Sequence, residues 1–103
     1  MIDLEDLYDI LSELDIPVAY DHFNKNVEAP YIAYRADHTE NFFAENKTYQ
    51  KNEVIYVELY TTKKDVELEV SLEALFDENE IAWEIESQEY IDTEKVYQVI
   101  YRI

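Results

Sequence analysis

Glycine is absent from this chain of 103 residues, and its absence limits how the backbone can turn. Glycine adopts positive φ angles without steric cost, so the loops must turn on asparagine, aspartate and proline instead. Such residues cluster in three segments, "YDHFNKN", "ADHTEN" and "DENE". Phosphate-cradling loops, dinucleotide-binding fingerprints and nucleophile elbows all require glycine. We therefore expect no nucleotide-dependent chemistry of these types.

The length and the cysteine count narrow the class of protein further. A chain of 103 residues fits a single domain, residues 1–103, with one hydrophobic core. Without cysteine, it has no disulfide, no thiolate zinc site and no cysteine nucleophile. The opening "MIDLEDLYDI" is acidic throughout, and no apolar run is long enough to span a bilayer. These features predict a soluble protein without a signal peptide or a membrane partner.

The formal net charge is −17, and the acids are unevenly distributed. They concentrate in residues 3–15 and 65–80, two segments that contain no lysine or arginine. Binding to nucleic acid or to anionic membranes normally requires a basic surface. We therefore expect no direct nucleic-acid binding.

Both acidic segments have the periodicity of amphipathic helices. The apolar stripes consist of Leu4, Leu7, Leu11 and Leu14 in the first segment and of Leu68, Leu72, Leu75 and Phe76 in the second. Asp3 and Asp65 are placed to cap the two N-termini. Pro17 is expected to end the first helix, and Asn79 is expected to end the second in a left-handed conformation.

Alternating apolar and polar residues predict strands over residues 17–20, 31–36, 54–60, 81–86 and 96–103. With the helices, the order is α-β-β-β-α-β-β. This order predicts an α+β two-layer sandwich, with two helices on one face of a mainly antiparallel sheet. The leucine stripes should then cover Ile55, Val57, Leu59, Ile81, Trp83 and Ile85.

The opposite face of the predicted sheet mixes tyrosines with charges of both signs. Its residues are Tyr56, Glu58, Tyr60, Glu84, Glu86, Gln98 and Arg102. Aromatic and arginine side chains are enriched in protein–protein contacts. A solvated antiparallel face with ordinary strand-forming tyrosines has the same composition. Both interpretations stay open at this stage.

The sequence has no recognisable catalytic or metal-binding pattern. His22 and His38 each follow an aspartate, but neither shows the spacing of a known ligand set. Two of the three serines lie inside predicted helices, which argues against a serine nucleophile. With 25 acidic residues, a close carboxylate pair is expected by chance. We therefore expect no enzyme activity, no metal and no cofactor.

Several segments together resemble a known family. They are "IPVAYDHF", "PYIAYRAD", "NFFAENKTY", a strand ending in "ELYTTKKD", a helix containing "LE" pairs, and the terminal "EKVYQVIYRI". In this order they resemble small tail proteins of siphophages and prophages of Gram-positive hosts, of the head–tail joining or tail-completion kind. The resemblance covers nearly the whole chain.

The resemblance implies a structural protein without turnover. Such proteins form a ring, usually a hexamer, at the end of the tail tube and help to dock the tail to the head connector. The implied partners are neighbouring copies of the chain, tail-tube proteins and head-connector proteins. The implied location is the virion tail, assembled in the cytoplasm of the bacterial host.

In such a ring, the loop that contains Phe42, Phe43 and Tyr49 would bury its aromatic side chains in a neighbour. Four lysines, Lys47, Lys51, Lys63 and Lys64, would meet an acidic helix of the next subunit. Lys63 and Lys64 precede a predicted helix, the end that its dipole disfavours for a cation. Tyr56 and Tyr60 of the tyrosine-containing face complete the predicted contact residues.

A second function is compatible with the charge. A small, strongly acidic protein can mimic DNA and occupy a host nucleic-acid-binding protein, if its carboxylates are spaced like phosphates. Such a mimic would bind a basic partner as a monomer, with an affinity that falls steeply with salt. A joining protein would instead contact tail or connector subunits mainly through aromatic side chains.

Overall fold

The computed structural model describes residues 2–38 and 53–103. The elements in chain order are α1 (Leu4–Leu11), a short 3-10 turn (Ser12–Leu14), β1 (Val18–Tyr20), β2 (Tyr31–His38), β3 (Glu53–Thr61), α2 (Val66–Glu78), β4 (Glu84–Ile91) and β5 (Val96–Arg102). The five strands form one sheet in the order β1-β2-β3-β5-β4. Only β1 and β2 pair in parallel, and the other neighbours are antiparallel. The predicted α+β class and element order are confirmed.

Both helices begin at the predicted caps. The Asp3 carboxylate accepts a hydrogen bond from the Glu5 amide at 2.7 Å, and the Asp65 carboxylate accepts one from the Leu68 amide at 3.1 Å. These bonds satisfy backbone donors that have no partner inside the helix. The caps therefore fix the point at which each acidic segment becomes helical.

The end of α2 differs from the prediction. Asn79 has a φ of −99°, and the left-handed residue is Glu80, with a φ of 57°. The Asn79 side chain donates to the Leu75 carbonyl at 2.8 Å, so it caps the helix from an ordinary backbone conformation. The prediction of a left-handed Asn79 was wrong, because its backbone amide and its side chain both donate to the last turn of the helix and the left-handed turn follows one residue later, at Glu80.

The described residues adopt positive φ at four positions, Asp15, Asp21, Glu80 and Lys95. Aspartate tolerates this region better than most residues, because its short side chain bonds locally. Asp15 follows the 3-10 turn and Asp21 follows β1, as expected of a chain that turns without glycine. Glu80 and Lys95 show that residues with longer side chains also adopt positive φ where the flanking elements fix the turn.

The core lies between the two helices and one face of the sheet. Its buried members are Leu7, Leu11, Ile32, Tyr34, Ile55, Val57, Leu59, Leu72, Phe76, Val99 and Tyr101. The predicted leucine stripes and the inward face of β3 are therefore both confirmed. Tyr101 is fully buried, and the rings of Phe76 and Trp83 each lie 5.7 Å from its ring.

Strand β4 is the element whose position was predicted least well. It runs over Glu84–Ile91 rather than 81–86. Trp83 precedes the strand, packs against the core and donates from Nε1 to Asp77 at 2.9 Å. Ile85 was predicted to be covered by a helix, but it is 40% exposed. The reason is that β4 is an edge strand whose extent follows its pairing with β5, with a register shift between Ile85 and Ser87.

Candidate protein-contact surfaces

The titratable side chains of residues 2–38 and 53–103 include one carboxylate–histidine pair. No group of three histidine or acidic side chains is close enough there to hold a metal ion. His22 Nδ1 lies 3.0 Å from an Asp21 carboxylate oxygen, and both side chains are largely exposed. This pair belongs to the turn after β1. The surfaces at the two edges of the sheet are more informative.

The first surface lies at the β1 edge, and we call Leu4, Tyr8 and Tyr20 the β1-edge surface. Tyr8 and Tyr20 are 45% and 47% exposed. The Tyr20 ring packs edge-on against Tyr34 with centroids 5.3 Å apart, and its hydroxyl accepts from the Ala36 amide at 3.2 Å. The three residues line a shallow hollow of about 390 Å³, together with Glu5, Asp9 and Tyr34. Tyr20 is thus held in place while part of its ring faces solvent.

A second set of exposed apolar side chains comprises Ile85 and Tyr90 of the edge strand β4 and Val66 and Val70 on the exposed side of α2, and we call these four residues the β4-edge surface. The two valines are 59% and 56% exposed, and Tyr90 is 48% exposed. Val66 and Val70 lie on the flank of α2 that also includes Glu73, because residues three and four apart on a helix share a side.

A hydrogen bond between side chains joins α2 to the sheet. The Tyr101 hydroxyl of β5 donates to the Glu73 carboxylate at 2.7 Å. Burial raises the pKa of Tyr101, and the Glu73 carboxylate raises it further. The tyrosine therefore stays a neutral donor, and its bond to Glu73 ties α2 to β5.

These two surfaces contain all the large apolar side chains that are exposed within the described ranges. They lie on opposite edges of a five-stranded sheet, about 19 Å apart across four strand spacings. The β4 edge also carries Glu84, Glu86 and Glu89 and a register irregularity. Charges and irregularities of this kind discourage unspecific pairing of edge strands. The exposed apolar side chains are therefore localised rather than scattered.

Tyr56, a predicted contact residue, lies on the helix-free face under an arginine. The Arg35 guanidinium lies 4.8 Å from the centre of the Tyr56 ring. Arg35 Nη1 also lies 3.4 Å from the Asp37 carboxylate and 3.7 Å from the Glu58 carboxylate. Tyr56 is half-buried by these neighbours. Its role in contact with a partner stays a prediction.

Tyr60, also predicted, is held in a hydrogen-bonded stack on the same face. Its ring stacks on Tyr31 with centroids 4.7 Å apart. Its hydroxyl donates to Glu58 at 2.9 Å and accepts from the Gln98 side chain at 2.8 Å. Burial raises the pKa of Tyr60 well above its ordinary value, with a smaller raising effect of Glu58 and a lowering effect of Gln98. The hydroxyl is therefore already satisfied within the chain.

Lys64 has an intramolecular role that accounts for its place before α2. Its Nζ donates to the Glu69 carboxylate at 2.8 Å and to the Gln88 side chain at 2.9 Å, and it lies 5.3 Å from the centre of the Tyr97 ring. The hydrogen bond to Glu69 raises the pKa of Lys64. Lys63 is exposed. The predicted contact of either lysine with a neighbouring subunit stays a prediction.

Five predicted contact residues, Phe42, Phe43, Lys47, Tyr49 and Lys51, lie outside the described residues. They belong to the connection between the end of β2 and the start of β3.

Sequence reasoning missed both edge surfaces. The signal for Val66 and Val70 was their four-residue spacing outside the leucine stripe. The signal for Tyr8 was similar, because it follows the stripe residue Leu7 and faces β1 rather than the core. Apolar residues beside a stripe are common, so they indicate a contact surface only when the sheet order is known.

Comparison with models of known protein families and with curated proteins finds no match for this chain. Within the part of the chain that the structure describes, no helix combines the length and the apolar character that crossing a membrane requires.

Proposed function

We propose that this chain is a tail-completion or head–tail joining subunit of a siphophage or prophage, which forms a ring at the tail end and docks to the head connector. The observation that supports a ring is the pair of unlike apolar surfaces at opposite edges of the sheet. The phage assignment itself depends on the sequence resemblance. The confirmed element order is consistent with it.

A ring requires two different surfaces that complement each other. In a head-to-tail contact, one patch of a subunit meets another patch of its neighbour, whereas a two-fold dimer uses one patch twice. The β1-edge surface is aromatic and flanked by Glu5 and Asp9. The β4-edge surface is mainly aliphatic, with Lys63 three residues before the helix that supplies its valines. The two surfaces therefore differ in composition, one aromatic and one mainly aliphatic, as the two unlike patches of a head-to-tail contact do.

The negative charge suits a protein at the mouth of a DNA-filled tube. Carboxylates that line a passage repel phosphates and keep DNA from adhering to the wall. The exposed acids of α1 and α2 provide such a surface without any base-reading or phosphate-binding side chain. This part of the proposal is tested separately, because neutralising those acids should then impair DNA ejection but not particle assembly.

Electron microscopy of lysates tests the proposal directly. Deletion of the gene from its parent phage or prophage should yield DNA-filled heads beside free, complete tails. A plasmid copy of the wild-type chain should restore joined particles. A copy with Val70→Glu should not, because the new charge lies in the β4-edge surface. Ser71→Glu, which adds the same charge to the other flank of the exposed side of α2, serves as the matched control.

The outcomes distinguish the roles. Heads without tails would move the protein to tail assembly and contradict the joining function. Intact, infectious particles would exclude a structural role and leave the acidic DNA mimic, which should then bind a basic host protein as a monomer.

A further inference from the structure

A groove of about 590 Å³ lies on the helix-free face, between the sheet and the loop of residues 21–29. Its base consists of Tyr31, Ala33, Tyr60, Thr62 and Val96. Glu94, in the turn between β4 and β5, closes one side. This groove is separate from both edge surfaces, and the ring proposal does not use it.

Three aromatic rings line the groove, two at its base and one in the loop. Phe23 of the loop packs edge-on against Tyr31, with centroids 5.4 Å apart and planes at 81°. Tyr31 in turn stacks on Tyr60, with planes at 19°. Because the Tyr60 hydroxyl is bonded to Glu58 and Gln98, the stack is fixed before any ligand arrives.

The groove is also electronegative. Asp21, Glu28 and Glu94 line it, while Lys25 is the lysine in its lining and His22 is paired with Asp21. Burial raises the pKa of Tyr31, and the charges of Glu94 and Glu58 raise it further. The negative potential of the carboxylates therefore reaches the aromatic wall.

At two other places in this chain, a cationic side chain lies over a tyrosine ring and beside a carboxylate. Arg35 lies over the Tyr56 ring between two carboxylates, and Lys64 lies over the Tyr97 ring while bonded to Glu69. A cation is attracted both to the face of an aromatic ring and to a nearby carboxylate. The lining of the groove likewise contains tyrosine rings and carboxylates.

We propose that the groove binds an arginine side chain from a basic segment of a partner protein. Arginine fits better than lysine, because its planar guanidinium packs against aromatic rings and also bonds carboxylates in a fixed fork. Glu94 at the rim and the Tyr31–Tyr60 stack at the base would contact the guanidinium. The charge of −17 adds a long-range attraction for a basic segment.

A titration of the purified, isotope-labelled chain followed by nuclear magnetic resonance tests this proposal. The probe is a short blocked peptide with one central arginine, at low salt. The control is the same peptide with citrulline, which keeps the shape and lacks the charge. We expect the arginine peptide to shift the signals of Tyr31, Tyr60, Thr62 and Val96, and the citrulline peptide to leave them unchanged.

Two variants separate a site from general attraction to an acidic protein. Glu94→Gln should weaken binding of the arginine peptide by about two- to fivefold, the range of one partly exposed charge pair. Glu13→Gln, the same change on the helix-covered side, should leave binding unchanged. Equal weakening in both variants, equal shifts with citrulline, or no shifts in the groove would each overturn the proposal. The titration requires no ring or virion, so its failure would leave the proposed function untouched.

Discussion

Tyr101 links the core to the surface of the molecule at the scale of single residues. Its ring is fully buried between Phe76 and Trp83, while its hydroxyl donates to Glu73 at 2.7 Å. A buried hydroxyl without a partner would cost free energy, so this bond compensates for burial. The same bond ties α2 to β5.

Alkaline pH should destabilise the fold through this tyrosine. The pKa of tyrosine in an unfolded chain is about 10. Because the folded pKa of Tyr101 is raised, the native state holds its proton longer, and stability falls as pH rises above the unfolded value. The stabilisation is fully present below that value. Urea unfolding at a series of alkaline pH values measures the decline.

Tyr101→Phe isolates the contribution of this hydroxyl. At neutral pH the variant should lose about 1 kcal/mol, because Glu73 loses a donor. Its stability should then decline less steeply with pH than that of the wild type. Tyr90→Phe, at an exposed position, should keep the full alkaline decline. An equally steep decline in Tyr101→Phe would contradict the assignment.

The first turn of α2 is fastened to the edge strand by one side chain. Lys64 bonds Glu69 of α2 and Gln88 of β4, and the Glu69 side chain is only 8% exposed. A buried carboxylate that loses its cation is left with an uncompensated charge. At the scale of elements, Lys64 therefore keeps α2 and β4 together beside the β4-edge surface.

Lys64→Met should lower the free energy of unfolding by about 1–2 kcal/mol, a value reduced for the partial exposure of the lysine. Lys63→Met is the matched control, since it removes the same charge from an exposed neighbour and should change stability by less than about 0.5 kcal/mol. Thermal and urea unfolding at neutral pH provide both values. Equal losses in the two variants would show that net charge, not the bond to Glu69, is responsible.

Predictability from sequence differed between elements for a physical reason. Strand β3 alternates strictly, because it pairs with β2 and β5 at both edges and only one of its faces is buried against the helices, so its prediction over residues 54–60 was accurate. In β4, the alternation of Ile81 and Trp83 reflects packing before the strand begins. The true strand, Glu84–Ile91, is polar because it lies at an edge, and only its pairing with β5 defines it.

The candidate sites were less predictable than the fold, because they depend on sheet order. Tyr56 and Tyr60 were correctly assigned to the helix-free face, but alternation does not reveal that Arg35 and Tyr31 would cover them. The edge surfaces and the groove combine residues far apart in the chain, such as Val70 with Tyr90 or Phe23 with Glu94. A sequence pattern predicts which residues share a face of one helix or strand, but it does not predict which elements lie side by side.

At the scale of the whole molecule, the exposed apolar side chains form two candidate contact surfaces. The β1-edge and β4-edge surfaces lie at opposite ends of the sheet and differ in character. We propose that a subunit with this arrangement joins its neighbours head to tail, so that a suitable rotation closes the chain of subunits into a ring. The central claim is that these two surfaces meet each other.

Site-specific cross-linking in purified tails tests that claim most directly, because the chain has no cysteine of its own. Tails assembled with a Tyr8→Cys and Val70→Cys double variant, treated with a short bis-maleimide, should give a ladder of covalent oligomers that ends at the ring. Each single variant should stay monomeric, and Tyr8→Cys with Ser71→Cys should not form the ladder. Dimers from either single variant, or no ladder from the double variant, would contradict head-to-tail assembly through these edges.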